Sequence, residues 1–301
     1  MTQPSRGFHI GGTPYPAAKL AGGLYLVATP IGNLGDITLR ALQTLAGADL
    51  IACEDTRVSR KLLEHYGIAT PTTAYHDHNA TAARPGLLKR IADGGSVALI
   101  SDAGTPAISD PGFKLVREAR EAGLPVIALP GASSLLTALV ASGLPTDRFL
   151  FEGFLPAKAT QRRSRITELS RIPASLVLFE GGSRIASTLS DLADVLGDRE
   201  AAICRELTKL HEEVRRESLP VLAQHYAGDA ETRGEFVIVV APPQAAGVPQ
   251  ADDVDTLIRA ALARVSVKDA VGEIVAATGL PRRDIYQRAL ELAKERDDGA
   301  P

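Results

Sequence analysis

Glu54-Asp55-Thr56-Arg57 sets two carboxylates and a guanidinium directly behind the apolar run Leu50-Ile51-Ala52-Cys53. Such a group could take up a proton or orient a polar ligand, because open α/β sheets bind ligands at the carboxyl ends of their strands. The same residues read equally well as a helix start, with Asp55 or Thr56 capping the first turn. A second candidate is SDAGTPAISDPG, residues 101–112, behind the apolar run Val97-Ala98-Leu99-Ile100. Gly104 and Gly112 permit unusual backbone angles there, and Pro106 and Pro111 stiffen the loop. Asp110 stands where an N-cap would, with Pro111 at the first helical position.

Other patterns carry less. A dinucleotide fold would place G-x-G-x-x-G after the first strand, and this chain offers only Gly32-x-x-Gly35, although Glu54 stands where an acid would hold a ribose. No lysine follows a glycine-rich turn as an ATPase requires. His76-Asp77-His78-Asn79 has two His at i, i+2 but lacks the further ligands a metal needs, so no metal is expected; Asn79 suits the N-cap of the next helix. KATQRRSRITELSR, residues 158–171, holds five cations, Lys158, Arg162, Arg163, Arg165 and Arg171, against the single acid Glu168. It reads either as a solvated helix face or as a patch for phosphates.

The elements that must position these residues alternate. Near-continuous apolar runs at 24–28, 49–53, 97–100 and 126–129 are strands covered on both faces. Helical patterns at 37–45, 80–91 and 112–121 lie between them, which indicates βαβ units and a parallel sheet. The pattern resets near Gly143-Leu144-Pro145. Runs at 149–151, 176–179, 201–207 and 236–240, joined by shorter connections, predict a second, mixed sheet. The expected organisation is therefore a flexible leader over 1–21, α/β domains over 22–144 and 145–242, a linker over 243–252 and a three-helix domain over 253–301.

Composition narrows the classes. The 301 residues are 45% apolar and 23% charged, as in a soluble globular protein, with no apolar run long enough to cross a bilayer. The first twenty residues hold no apolar core of a secretion signal. Two cysteines, Cys53 and Cys204, sit in apolar runs and read as buried thiols, which points to a reducing compartment, the cytoplasm. A net charge of −3 argues against a general polycation, though a local basic face is sufficient for nucleic acid.

TPIGNLGDITLRAL, EDTR, HDHN, SDAGTPAISDPG, LPGASSLLTALVASGLP, FEGFLPAK, RELTK and RGEFVIVV occur in that order across residues 22–241. In this the chain resembles the tetrapyrrole-methylase-like superfamily, and within it the ribosomal small-subunit cytidine 2′-O-methyltransferases. The tail, with KDAV and IYQRAL, resembles the small domain that many members carry. There are two departures. Phe179-Glu180 runs into Gly181-Gly182-Ser183-Arg184 where the family has a bulkier turn, and the first twenty residues have no counterpart.

The resemblance implies a two-domain α/β fold with a small helical domain, binding S-adenosylmethionine (AdoMet) in a cleft between the α/β domains. Pro30, Asp102, Ala103, Gly104, Thr105, Ile108, Ser133 and Ser134 would meet the cofactor from the first domain, and Phe179, Leu207 and Gly234 from the second. The implied reaction moves a methyl group to a cytidine ribose hydroxyl of small-subunit ribosomal RNA. A base or cation beside that weak nucleophile would help; Glu54, Asp55, Arg57 and Lys209 are the candidates, and the sequence does not rank them. The family also implies a homodimer. The alternative is a precorrin-like tetrapyrrole as methyl acceptor.

Overall fold

Strands that are apolar on both sides need cover on both sides, and the chain supplies it by alternating strands with amphipathic helices. The computed structural model describes residues 6–228, 230–243, 251–278 and 280–298. After the short strands β1 (Gly7–Ile10) and β2 (Thr13–Pro16) come β3 (Gly23–Leu26), α1 (Leu39–Gly47), β4 (Leu50–Cys53), α2 (Thr56–His65) and β5 (Thr72–Ala74). Then follow α3 (Ala80–Ala92), β6 (Ser96–Ile100), α4 (Phe113–Glu121), β7 (Val126–Ala128) and α5 (Ser134–Ala141). The five strands lie in the order β5-β4-β6-β3-β7, all parallel. On one face α1 and α2 bury Leu42, Leu45, Leu62 and Leu63 against Ile51 and Ile100. On the other, Leu87 and Ile91 of α3 and Leu115 of α4 pack on Leu24, Val97 and Leu99.

The second sheet contains β8 (Phe149–Phe154), β9 (Ser175–Gly181), β10 (Glu200–Arg205), β11 (Glu213–Ser218) and β12 (Glu235–Val240), in the order β11-β10-β12-β9-β8. Only β8 and β9 are parallel, so the sheet is mixed. Helices α6 (Ala159–Leu169), α7 (Ile185–Leu196) and α8 (Leu219–Ala227) cover one face. The other face is covered by the first half of the chain: Ile31, Ala138, Leu139 and Leu144 meet Val177, Cys204, Leu207 and Val237. That shared apolar layer makes Met1–Pro242 one compact unit rather than two.

One local expectation changes, and one strand is added. Residues 7–16, expected as part of a flexible leader, form an antiparallel hairpin turning on Gly11 and Gly12 at φ 55° and 82°. Phe8 is buried in the core of α1 and α2, the His9 amide donates to the Tyr66 carbonyl at 2.8 Å, and Arg6 pairs with Asp49 at 2.7 Å. Absence of a secretion signal says nothing against a strand, and one buried aromatic is enough to anchor this one. The added strand is β11, a polar segment that no apolar run announces. It lies at the sheet edge, where alternate residues face solvent and the apolar signature is absent.

The second unit, Pro243–Pro301, contains α9 (Ala251–Leu262), α10 (Val267–Thr278) and α11 (Arg282–Asp298) around Ile258, Val271, Ile285 and Leu292. Arg288 of α11 pairs with Asp255 of α9 and with Glu291. Of the expected linker, residues 244–250 lie outside the described residues, and α9 begins at its end.

Candidate functional site

Connections from β3 run through α1 and α2 toward one sheet edge, while β6 leads through α4 to the other, so the loops after β3 and β6 flank the switch point. They are locked together. Thr29 and Gly104 exchange backbone hydrogen bonds of 2.9 and 3.0 Å, and the Thr29 hydroxyl donates to the Ser101 carbonyl at 3.1 Å. Thr105 Oγ1 donates to the Ala132 carbonyl at 3.1 Å, tying the loop to the entry of α5. Ala107 and Ser109 hold φ of 70° and 59°, values a side chain tolerates only when the surroundings impose them. Gly112, at φ 141°, is the N-cap of α4 and lends it no side-chain bond. Asp110 therefore does not cap α4 as expected, because Pro111 and Gly112 delay the helix to Phe113.

The facing wall is Arg205-Glu206-Leu207-Thr208-Lys209. Glu206 and Thr208 also take positive φ, 50° and 66°. Lys209 Nζ donates to Glu206 Oε1 at 2.8 Å and to Glu235 Oε2 at 3.0 Å. Two glycines make room for this group. A Cβ on Gly234, at φ 107°, would lie 2.5 Å from Glu206 Oε1, and one on Gly32 would lie 2.4 Å from Lys209 Cγ. Beneath the wall, Phe179 takes the edges of Phe151 and Phe154 at centroid distances of 4.9 and 5.7 Å. Glu180, 3% exposed, accepts from Arg184 twice at 2.8 Å, from Thr188 at 2.7 Å and from the Gly181 amide at 2.9 Å. The Gly181-Gly182 departure has a packing reason, since a Cβ on Gly182 would fall 1.6 Å from the Thr232 carbonyl oxygen.

Between the walls lies a cleft of about 380 Å³. Asp102, Ala103, Gly104, Thr105, Ile108, Ser133, Ser134, Phe179 and Leu207 line it, together with Glu54 and Lys209. Pro30 is buried beside Ile31 and outside the lining, and Gly234 stands behind Glu206. Asp55 and Arg57 are not in the lining. Asp55 caps α2, accepting from the Arg57 amide at 2.8 Å, and pairs with the Arg57 guanidinium at 2.6 Å while that side chain is 87% exposed. Asp110, Glu180 and Glu235 also line the cleft and escaped the sequence reading. The repeated Ser-Asp pair at 109–110 was the available signal for Asp110, masked by the cap assignment.

The cleft is rich in carboxylates. Burial, then the carboxylates of Asp102 and Asp77, push the Glu54 carboxyl up. Burial does the same for Asp102, and burial plus Glu54 pushes Asp110 up to about 6. The Asp55 amide donates to Asp102 Oδ1 at 3.0 Å, linking the ends of β4 and β6. Burial works against charge on Lys209, but Glu206 and Glu235 outweigh it and raise its proton affinity. Asp55 itself is held at about 2 by Arg57.

Three of the five cations of the basic segment are taken up by acids, while Lys158 and Arg171 at its ends stay exposed. Arg162, 5% exposed, pairs with the buried Asp191 at 2.7 Å, Arg163 pairs with Asp191 and Asp194, and Arg165 with Glu152 and Glu168. Glu152 of β8 and Asp191 and Asp194 of α7 lie outside the segment, where the linear charge count could not see them. Other cations without a carboxylate partner among the described residues include exposed Arg60 and Lys61 on α2, whose strand-side entry is Glu54.

Residues 23–223 match the Tetrapyrrole (Corrin/Porphyrin) Methylases, and residues 248–293 match the RsmI C-terminal HTH domain. The chain is 51% identical over 291 residues to "Ribosomal RNA small subunit methyltransferase I" of Mesorhizobium japonicum, covering 96% of this chain and 99% of that one. It is 45% identical to the protein of the same name from Pseudomonas aeruginosa, covering 90% and 98%. In fold it is similar to uroporphyrin-III C-methyl transferase from Thermus thermophilus complexed with S-adenyl homocysteine. The TM-score is 0.51 at 22% identity, over 72% of this chain and 97% of that one.

Proposed function

Because this chain belongs to the Tetrapyrrole (Corrin/Porphyrin) Methylases, with relatives along nearly its whole length that methylate small-subunit ribosomal RNA, we propose that it transfers the methyl group of AdoMet to a cytidine ribose 2′-hydroxyl of that RNA. The observation that carries the chemistry is the character of the cleft. Its volume of about 380 Å³ falls in the range of small-ligand pockets. One wall is rigid backbone, which offers directional donors and acceptors, and Ile31, Phe179 and Leu207 supply an apolar seat for an aromatic base. Glu54, Asp102 and Asp110 face the ligand, while the one lining lysine is already neutralised by Glu206 and Glu235. Such a field suits a cationic sulfonium and disfavours a dinucleotide pyrophosphate or a polycarboxylate tetrapyrrole.

AdoMet supplies an electrophilic methyl carbon on sulfur. The chain's own part is to hold the cofactor against the 101–112 loop, exclude water with Phe154 and Phe179, and orient the hydroxyl for in-line attack. Lys209, fixed by two carboxylates, is placed to orient the acceptor rather than to take its proton. RNA phosphates are met by exposed cations that have no carboxylate partner among the described residues, such as Arg60 and Lys61 on α2 and Arg282 and Arg283 on α11. A homodimer completes the reading. Leu136 and Val140, one turn apart on α5 and 51% and 72% exposed, offer an apolar contact. No helix among the described residues is long and apolar enough to cross a membrane, and the working place proposed is the cytoplasm.

The test is transfer of labelled methyl from AdoMet to purified small ribosomal subunits, followed by nucleoside digestion. Label in 2′-O-methylcytidine is expected. Label on a base, or none, would contradict the reading.

A further inference from the structure

The loop SDAGTPAISDPG contributes two aspartates to the cleft, and they differ in what they do for the fold. Asp102 accepts the Asp55 amide and so joins two strand ends. Asp110 has no such duty. It does not cap α4, it forms no ion pair with any Lys, Arg or His among the described residues, and it is half-buried in the cleft lining. The groups facing it are Glu54 at the end of β4, Asp102 at the end of β6 and Asp77 after β5, all acids, and the nearby Ser101 hydroxyl donates to the Ala103 and Gly104 carbonyls at 3.3 and 3.4 Å. His76 faces Glu54, and Lys209 across the cleft is occupied by Glu206 and Glu235. A carboxylate placed among three others without a cation weakens the folded state. The backbone beside it is strained, with Ala107 and Ser109 at φ 70° and 59°, while Gly112 takes its positive φ freely.

We infer that Asp110 is the catalytic base of this enzyme, receiving the proton of the ribose 2′-hydroxyl, an assignment that rests on the ribose methylation proposed above. As the hydroxyl oxygen forms its bond to the methyl carbon, the O–H bond breaks and its proton passes to the Asp110 carboxylate. The electron pair of the breaking carbon–sulfur bond remains on sulfur, which becomes neutral. Glu54 is the positioning residue, since its charge keeps Asp110 basic. The value of about 6 for Asp110 leaves it ionised at neutral pH yet far more basic than an ordinary aspartate, where a general base is most effective.

The experiment compares wild type, Asp110→Asn and Glu54→Gln by three readouts: the pH profile of kcat on small subunits, AdoMet affinity by calorimetry, and thermal melting. The wild-type kcat should rise with pH to a plateau just above 6. Asp110→Asn should lower kcat by about 10²–10⁴-fold and abolish that rise, while AdoMet affinity, which loses one of the three carboxylates facing the sulfonium, should fall less than tenfold. Glu54→Gln should move the rise to lower pH. An acid whose proton affinity is raised by folding favours the folded state at low pH, an advantage lost as pH climbs through the folded value. Asp110→Asn should accordingly melt no lower than wild type at neutral pH. An unchanged kcat and profile would overturn the inference. So would a tenfold loss of AdoMet affinity, which would make Asp110 a cofactor ligand, or a marked fall in melting temperature, which would make it structural. A wild-type enzyme that binds AdoMet but leaves ribose unmethylated would overturn the proposed function, and the role of Asp110 with it.

Discussion

Replacing Gly104 by Val separates the cleft's role from the fold's. Gly104 sits at φ 81° with its amide and carbonyl both bonded to Thr29, so the backbone cannot relax to suit a side chain. Forcing an L-residue into this region costs about 1–2 kcal/mol, with a β-branched residue at the upper end. No overpacking is added, because the new Cβ would meet Ile31 Cγ2 at 3.4 Å and the Ala132 carbonyl at 3.9 Å. The stability loss is thus a fraction of the roughly 5–15 kcal/mol that holds a typical domain. Ile31 lines the cleft, so the new methyls occupy the ligand's space, and AdoMet affinity should fall at least tenfold, about 1.4 kcal/mol or more. Calorimetric titration with AdoMet beside urea unfolding measures both quantities. Gly182→Ala is the control, since its Cβ collides with the Thr232 carbonyl outside the cleft lining and should destabilise the fold severely. Undiminished AdoMet affinity in folded Gly104→Val protein would refute the assignment of this loop as the cofactor wall.

Three further outcomes follow from the same geometry. Arg60→Glu with Lys61→Glu should weaken binding to ribosomal RNA and flatten its salt dependence by about two phosphate contacts, with AdoMet affinity unchanged; an unaltered salt slope would remove α2 from the RNA face. Arg162→Met should cost about 3 kcal/mol in urea unfolding, because Asp191 is left buried with only the half-exposed Arg163; a change below 0.5 kcal/mol on the scale of surface substitutions would show the pair to be incidental. Burial opposes charge on Asp49, but bonds from Arg6 and Ser96 prevail and hold it at about 2. The stability it contributes is complete above the ordinary carboxylate range and is lost as pH falls toward 2, so Asp49→Asn should flatten melting temperature against pH in that interval.

Strands buried on both faces were the most legible part of the sequence, because β4, β6 and β12 read as uninterrupted apolar runs. What escaped was set by contacts distant in sequence. The edge strand β11 buries too little to show a pattern, and the β1–β2 hairpin depends on one phenylalanine finding the α1–α2 core. In the site, Glu54 and Asp55 are chemically alike neighbours, yet strand alternation sends one into the cleft and leaves the other to cap α2. The charge of residues 158–171 was plain, whereas the pairing of Arg162, Arg163 and Arg165 with Glu152, Asp191 and Asp194 was written elsewhere in the chain. Asp110 was visible as a residue type, but only the start of α4 at Phe113 freed it from the cap position.

The central claim is ribose methylation of the small-subunit RNA. It is tested most directly by mass spectrometry of nucleosides from small subunits of a strain lacking the gene, and of the same strain carrying wild-type or Gly104→Val protein. The prediction is loss of one 2′-O-methylcytidine on deletion, restored by the wild type and not by the variant. An unchanged 2′-O-methylcytidine content in the deletion strain would contradict the account.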